Sequence, residues 1–396
     1  VSADALRLGD GPFATVLTGE GRGAIAVVRV WGPGGVEAVS AVFRPTRPGP
    51  WSASPVGKAR LGSIIDPATG AEGDQVVAVV LSADPPEVEV HGHAGVAAIA
   101  SIRSALQAVG VRLVTPSRWL RDHAPSRIAA HAMEDLPHAT TTRAASILLD
   151  QAVGALDREL IGLIDKEDQH AIKTLIGRGA LGVRLLAGWR VVLAGRPNVG
   201  KSRLLNALAG FDRVIVHERP GTTRDVVSVP LALDGWPVEV SDTAGLREAT
   251  EVVEAAGVAR AARAQREADL VLLVLDRSET LSGDDRVLLA RFPKALRIAS
   301  KVDLEAAWDA ETVDAVPVSA ASGDGVDALI AAIVSRLVPD RPEPGAGVPF
   351  RDAHLRRLRT LQSCLEAGRV SSFQRRVAAW TRPRGPGHGT GPSVPL

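Results

Sequence analysis

Cysteine is almost absent: the 396-residue chain has one, Cys364. That excludes an internal disulfide framework and a cysteine-rich metal site. Cys364 lies within an amphipathic segment and reads as a small core residue. Lysine is also scarce, with only six among the 46 basic residues. Two of them, Lys201 and Lys301, fall inside the motifs below, where a compact ammonium suits the chemistry better than a guanidinium fork. Net charge is +1, so no overall field recruits nucleic acid, and an RNA contact needs a local patch. No apolar run approaches the ~18 residues of a membrane span. The start lacks the basic-then-apolar layout of a secretion signal. A cytoplasmic protein without membrane contact is the expectation. There is no internal repeat. The composition, 45% hydrophobic and 23% charged, is that of a globular chain, and the length suits two or three domains.

The pattern along the chain predicts α/β architecture. Residues 1–122 read as a small α/β domain, with strands at Gly23–Trp31, Val76–Leu81 and Glu87–His91. Gly95–Val109 has helical spacing, with Val96, Ile99, Ile102, Leu106 and Val109 near one face. Pro45–Gly57 is Pro- and Gly-rich and reads as an exposed loop. Residues 123–189 read as helical, with Leu149, Ala152, Val153, Leu156, Leu160 and Leu163 as one stripe. Glycines 177, 179 and 182 weaken the helix over Ala171–Leu186. Residues 190–338 alternate strand and helix, the signature of a mostly parallel sheet. Its strands fall at Arg190–Ala194, Val238–Ser241, Leu270–Leu275, Leu296–Ala299 and Ala315–Val318. Pro339–Gly347 is a linker. Residues 348–375 carry one amphipathic helix, Arg351 to about Val370, and 376–396 read as a disordered tail.

The chain is organised around Gly195-Arg196-Pro197-Asn198-Val199-Gly200-Lys201-Ser202, set between a predicted strand and a predicted helix. G-x-x-x-x-G-K-[ST] in that context is a phosphate-binding loop. Its amides and the helix N-terminus face an anion. Lys201 reaches the terminal phosphates, the Ser202 hydroxyl binds Mg²⁺, and Asn198, Val199, Gly200 and Arg203 complete the loop. Gly221-Thr222-Thr223-Arg224-Asp225 follows at the spacing of a first switch, where the Thr223 hydroxyl can complete Mg²⁺ coordination. Asp242-Thr243-Ala244-Gly245 follows a strand. Asp242 can hold the metal's water shell there, and the Gly245 N–H can approach the γ-phosphate. Ser300-Lys301-Val302-Asp303 matches Asn-Lys-x-Asp except at its first residue. The Asp303 carboxylate can accept from both N1–H and the 2-amino group of guanine, a donor pair that adenine lacks. The Lys301 stem can cover the base. Ser300 is shorter than asparagine and loses one hydrogen bond, roughly 0.5–1.5 kcal/mol. Val318-Ser319-Ala320 matches the last loop, whose backbone contacts the guanine oxygen. Four motifs in order indicate a GTPase. Leu246, after Asp-x-x-Gly, cannot orient water as a glutamine does.

With these motifs in place, the sequence resembles the tRNA-modification GTPase family called MnmE or TrmE. Gly21–Pro33 resembles that family's N-terminal signature, Glu87–Gly95 its second stretch, and Gly221–Asp225 and Asp242–Glu248 its switch motifs; together these span residues 11–370. The resemblance implies a folate-binding and dimerisation domain, a helical domain, and a P-loop GTPase domain inserted within it. It implies potassium activation by face-to-face dimerisation of G domains. Asn198 then ligates K⁺, with backbone carbonyls near His217, Arg219 and Thr222, and Glu254 orients the attacking water. Without the resemblance, Glu254 reads as a helix-surface glutamate. A 5-formyltetrahydrofolate-type donor falls to Arg29, Glu89 and, with one residue deleted, Arg127. Arg29 and Glu89 also read as a strand pair that meets solvent or each other. The implied partners are a second copy, tRNA, and a flavin-dependent protein of the MnmG (GidA) type. Together they act on the wobble uridine. The family's Cys-x-Gly-Lys end has no counterpart in Gly391–Leu396. The competing reading is therefore a regulatory GTP-binding switch or a diverged paralogue without tRNA-modifying activity.

Overall fold

The computed structural model describes residues 11–18, 23–47, 49, 51, 54–166, 168–211, 228–242 and 266–381. The chain forms two compact units, one built on Val1–Ala130 and the other on His131–Arg382.

The first unit holds a seven-stranded sheet. Its strands are β1 (Phe13–Val16), β2 (Ile25–Trp31), β3 (Phe43–Pro45), β4 (Arg60–Ile65), β5 (Glu72–Ala83), β6 (Pro86–His93) and β7 (Arg112–Leu113), in the order β3-β4-β5-β6-β2-β1-β7. Within it, β1 and β7 pair in parallel and the other neighbours antiparallel. Alternation sorts the strands into two faces. Ala26, Val28 and Val30 of β2 and Val88 and Val90 of β6 are buried. Val28, Val30, Val88 and Val90 join Ile102 and Leu106 of the helix Val96–Ala108 in one core. Arg29 and Glu89, direct cross-strand partners, lie on the other face. Two expectations need correcting. Val96 is exposed, because it opens the helix and lies off its buried face. The Pro45–Gly57 loop is anchored rather than free, because Trp51 is buried edge-on against Phe43.

The second unit joins a helical part to a six-stranded sheet. The helices Thr142–Ala152, Ala155–Lys166 and Gln169–Gly182 come first. The expected single stripe breaks at Gly154, whose φ of 91° ends one helix and resets the phase of the next. Leu148 therefore replaces Leu149 in the core, and Val153 is exposed. Gly179 and Gly182 are packing sites rather than weak points. A Cβ there would meet Leu355 at 2.1 Å and the Pro349 carbonyl at 2.0 Å. Their lack of side chains admits the returning segment and its helix, Asp352–Glu366. That helix stops before Gly368, at φ 64°. A second helix, Val370–Thr381, then buries Phe373, Val377 and Trp380. The expected single helix and the tail reading of 376–381 are both corrected by this turn.

The sheet of the second unit comprises β8 (Trp189–Ala194), β9 (Ser228–Leu233), β10 (Trp236–Asp242), β11 (Leu270–Asp276), β12 (Leu296–Ser300) and β13 (Ala315–Val318). The order is β13-β12-β11-β8-β10-β9, parallel except for the β9–β10 hairpin. The strand order reverses direction at β8, and ligands of open α/β sheets sit at such a point, beyond the carboxyl ends of the strands.

A buried histidine pair closes the helical part. His131 Nδ1 and His354 Nε2 are 2.9 Å apart, with rings stacked. His354 is 1% exposed, and its Nδ1 has no hydrogen-bond partner. Burial, then the charges of His131, Arg351 and Arg357, push His354 down to about 3. Burial also lowers His131. The folded state therefore keeps His354 neutral, while the unfolded chain takes up a proton near 6.5. That contribution is complete above pH 6.5 and is lost as pH falls from there towards 3. We expect acidification from pH 7 to 5 to cost this unit about 2 kcal/mol through His354. Chemical denaturation at both pH values tests this. A His354→Phe variant should lose most of that slope, and an unchanged slope would contradict the assignment.

Candidate nucleotide site

The phosphate loop runs from the end of β8 into the helix Lys201–Phe211. Its backbone needs the residues it has. Gly195 has φ 145°, and a Cβ there would meet the Val274 carbonyl at 2.4 Å, so no other residue fits. Asn198 adopts φ 63°, a left-handed conformation that asparagine tolerates better than most. Its side chain is exposed. Lys201 is 5% exposed, and its Nζ donates to the Gly195 carbonyl at 3.2 Å and the Arg196 carbonyl at 2.6 Å. The ammonium thus closes the loop on itself. Ser202 and Arg203 are exposed in the first helical turn. Arg196 is fixed from outside, by Asp285 at 2.9 Å and Glu279 at 3.4 Å. The Asp285 hydrogen bond raises the Arg196 pKa.

The loops expected to read the base lie at the ends of β12 and β13. Ser300 is buried, and its Oγ lies 2.7 Å from the Val199 carbonyl and 3.0 Å from the Leu275 carbonyl. One hydroxyl proton serves two protein acceptors, so the hydroxyl ties the two motifs together and has no donor to spare for a base. Lys301 has φ 61° and pairs with Asp276. The Asp303 carboxylate accepts from the Ser319 hydroxyl at 2.6 Å. That bond, with Arg203 and Lys301 nearby, lowers the Asp303 pKa. The charged acceptor form that guanine's donors require is therefore favoured. Ser319 is fully buried, and Ala320 beside it is half-buried.

Sequence patterns did not single out Asp276, Asp285 or Arg196. Asp276 had a signal, as the carboxylate directly following the run Leu270–Leu275. The ion pair of Arg196 across 89 residues had none.

Asp242 ends β10 in register with Leu193 of β8, so its backbone lies beside the strand that feeds the phosphate loop. A hydroxyl and a carboxylate are the hard oxygen donors that Mg²⁺ takes. Thr222, Thr223, His217, Arg219, Thr243, Ala244, Gly245, Leu246 and Glu254 lie outside the described residues, as does the Asp242 side chain. Among the described residues, no group of three or more His, Cys, Asp or Glu could hold a metal.

In the first unit, Arg29 contacts Glu89 directly and Glu87 at 3.1 Å, and His91 lies 2.9 Å from Glu89. The guanidinium sits over the Trp119 ring at 5.1 Å, and Trp119 stacks on His123 at 4.7 Å. Arg29 and Glu89 thus pair with each other across β2 and β6. Arg29 Nε is nonetheless buried without a hydrogen-bond partner. Arg127 is half-buried at the start of the helix Arg127–Asp135.

A glycine-constrained phosphate loop at the reversal point of a mostly parallel sheet, tied to an aspartate-bearing loop, makes the six-stranded part of the second unit a P-loop GTPase domain. The family model described as 50S ribosome-binding GTPase matches residues 190–301. The model described as GTP-binding protein TrmE N-terminus matches residues 12–119. Among curated relatives, the tRNA modification GTPase MnmE of a Synechococcus species is 34% identical over 367 residues, covering 80% of this chain and 78% of that protein. The protein of the same name from Roseiflexus castenholzii is 32% identical, covering 93% of this chain and 91% of that one. One from Thermus thermophilus is 32% identical, with 83% of each chain covered. The chain belongs to the MnmE family of tRNA modification GTPases. Among the described residues, no helix is long and apolar enough to cross a membrane.

Proposed function

We propose that this protein hydrolyses GTP to support modification of the tRNA wobble uridine, acting as a homodimer with a flavin-dependent partner. The observation that carries the GTPase part is the Ser300–Val199 hydrogen bond, which joins the phosphate loop to the loop holding Asp303. Joined in this way, the two loops would take the two ends of a guanine nucleotide. The loop amides and Lys201 take the phosphates, and Asp303, with the backbone at Ser319 and Ala320, takes the base. Ser202, Thr223 and Asp242 would hold Mg²⁺. Asn198, with backbone carbonyls near His217, Arg219 and Thr222, would hold K⁺. When bound, such cations would supply positive charge beside the phosphate oxygens. Leu246 has no group that orients water, and that role falls to Glu254. The tRNA part of the reading is supported by the relatives named tRNA modification GTPase MnmE, which span most of this chain.

Folate binding at Arg29, Glu89 and Arg127 belongs to the same reading. Its support is the unpartnered Nε of Arg29 beside an indole face.

GTP turnover in KCl against NaCl tests the catalytic proposal. We expect turnover in KCl at least about tenfold faster, a small part of the roughly 10³–10⁵-fold that an arginine finger supplies at such a point. Equal rates would remove Asn198 as a potassium ligand. No turnover in either salt would remove the GTPase reading.

A further inference from the structure

We propose that Asp276 is a positioning residue for guanine-nucleotide binding: it anchors the Lys301 ammonium and so fixes the Lys301 stem as an apolar wall beside Asp303. The proposal rests on the guanine-nucleotide reading above and deepens the same site.

Asp276 is the last residue of β11 and pairs in register with Ser300. Its side chain is 2% exposed, and Oδ2 lies 2.5 Å from Lys301 Nζ. The other oxygen, Oδ1, accepts from Ser278 N at 2.9 Å and from Ser278 Oγ at 2.7 Å. The Asp276 carbonyl accepts from Trp308 Nε1 at 2.8 Å. The carboxylate is thus held independently of Lys301 and is a fixed point, not a mobile partner. Lys301 is fixed from its own side by a left-handed backbone, whose carbonyl accepts from Leu304 N at 3.0 Å. A lysine held at both ends has lost its rotamers before any ligand arrives, and that loss is removed from the cost of binding. The Lys301 side chain keeps 31% exposure, so part of the stem remains open to a planar ring.

A turn made by Ser278 alone would need no cation on its aspartate. A buried carboxylate whose cation is a nucleotide-motif lysine links the end of β11 to the base. Ser300 spends its hydroxyl on the phosphate loop. The Lys301 wall therefore carries more of the base contact here than it would beside an asparagine.

The test is a calorimetric titration of GDP and IDP into the intact chain and into three variants: Asp276→Asn, Lys301→Met and the double variant. Asp276→Asn keeps the shape and the bonds to Ser278 but loses the charge toward Lys301. It should weaken GDP and IDP by the same factor, about tenfold, because the stem contacts the ring face and not the 2-amino group. In the Lys301→Met background the same change should weaken GDP no further. Thermal melting adds a measurement that stands even if Asp276→Asn alone does not fold. Lys301→Met leaves a buried unpaired carboxylate, so it should melt below the double variant. Wild-type affinity in Asp276→Asn, an equal loss in both backgrounds, or a double variant melting no higher than Lys301→Met would each overturn the assignment. Wild-type protein that binds no GDP would overturn the nucleotide reading itself, and this assignment with it.

Discussion

A Lys201→Ala variant is expected to keep its fold and lose GTP binding. Lys201 is buried at the start of a helix, and its ammonium bridges the Gly195 and Arg196 carbonyls. A triphosphate offers it far stronger acceptors, because both partners are then charged. Alanine removes the ammonium from this loop, and Arg196 cannot replace it because Asp285 and Glu279 hold its guanidinium. The expected loss is at least about 100-fold in affinity, or roughly 2.7 kcal/mol. Arginine should not rescue it, because a planar fork does not fit where a point charge sits between two loop carbonyls. Calorimetry with GTP and GDP measures the effect, and a melting curve shows that the fold is intact. Unchanged affinity would refute the loop assignment.

An Asp303→Asn variant is expected to exchange guanine for xanthine. The Asp303 carboxylate is favoured in its charged form by the Ser319 hydroxyl and has acceptors only. Guanine presents two donors to it, N1–H and the 2-amino group. Asparagine sets an amide NH₂ against that amino group, so donor faces donor. Xanthine carries a carbonyl at the same carbon, and the amide can donate to it. A site built on such hydrogen bonds rejects a mismatched partner strongly, so GTP affinity should fall on the order of 100-fold or more while XTP affinity rises. Competition of each nucleotide against a fluorescent GDP analogue reads both changes. Parallel loss of both nucleotides would mean that Asp303 supports the loop without reading the base.

The parts of this site legible in the sequence were those whose chemistry is local in the chain. Gly195, Gly200 and Lys201 sit within seven consecutive residues, and the backbone demands the glycines whatever the surroundings. The alternation of strand and helix after Arg190 was equally plain, because parallel strands buried on both faces are apolar runs. Side chains whose roles are set across the fold were not legible. Ser300 reads as a shortened asparagine, yet its hydroxyl reaches Val199, 101 residues away. Asp276 reads as a strand end until Lys301 is seen against it. Helix breaks were missed for another reason. Gly154 and Gly368 stop helices by adopting positive φ, whereas Gly179 and Gly182 lie inside one and serve close packing. The same residue type does both, and only the packing partner tells them apart.

Binding of GDP and ADP to the intact chain, with Mg²⁺ and KCl present, tests the central claim most directly. The account predicts one GDP per chain, with ADP binding too weak to titrate, because Asp303 has nothing to accept from adenine. Equal binding of the two, or binding of neither, would contradict it.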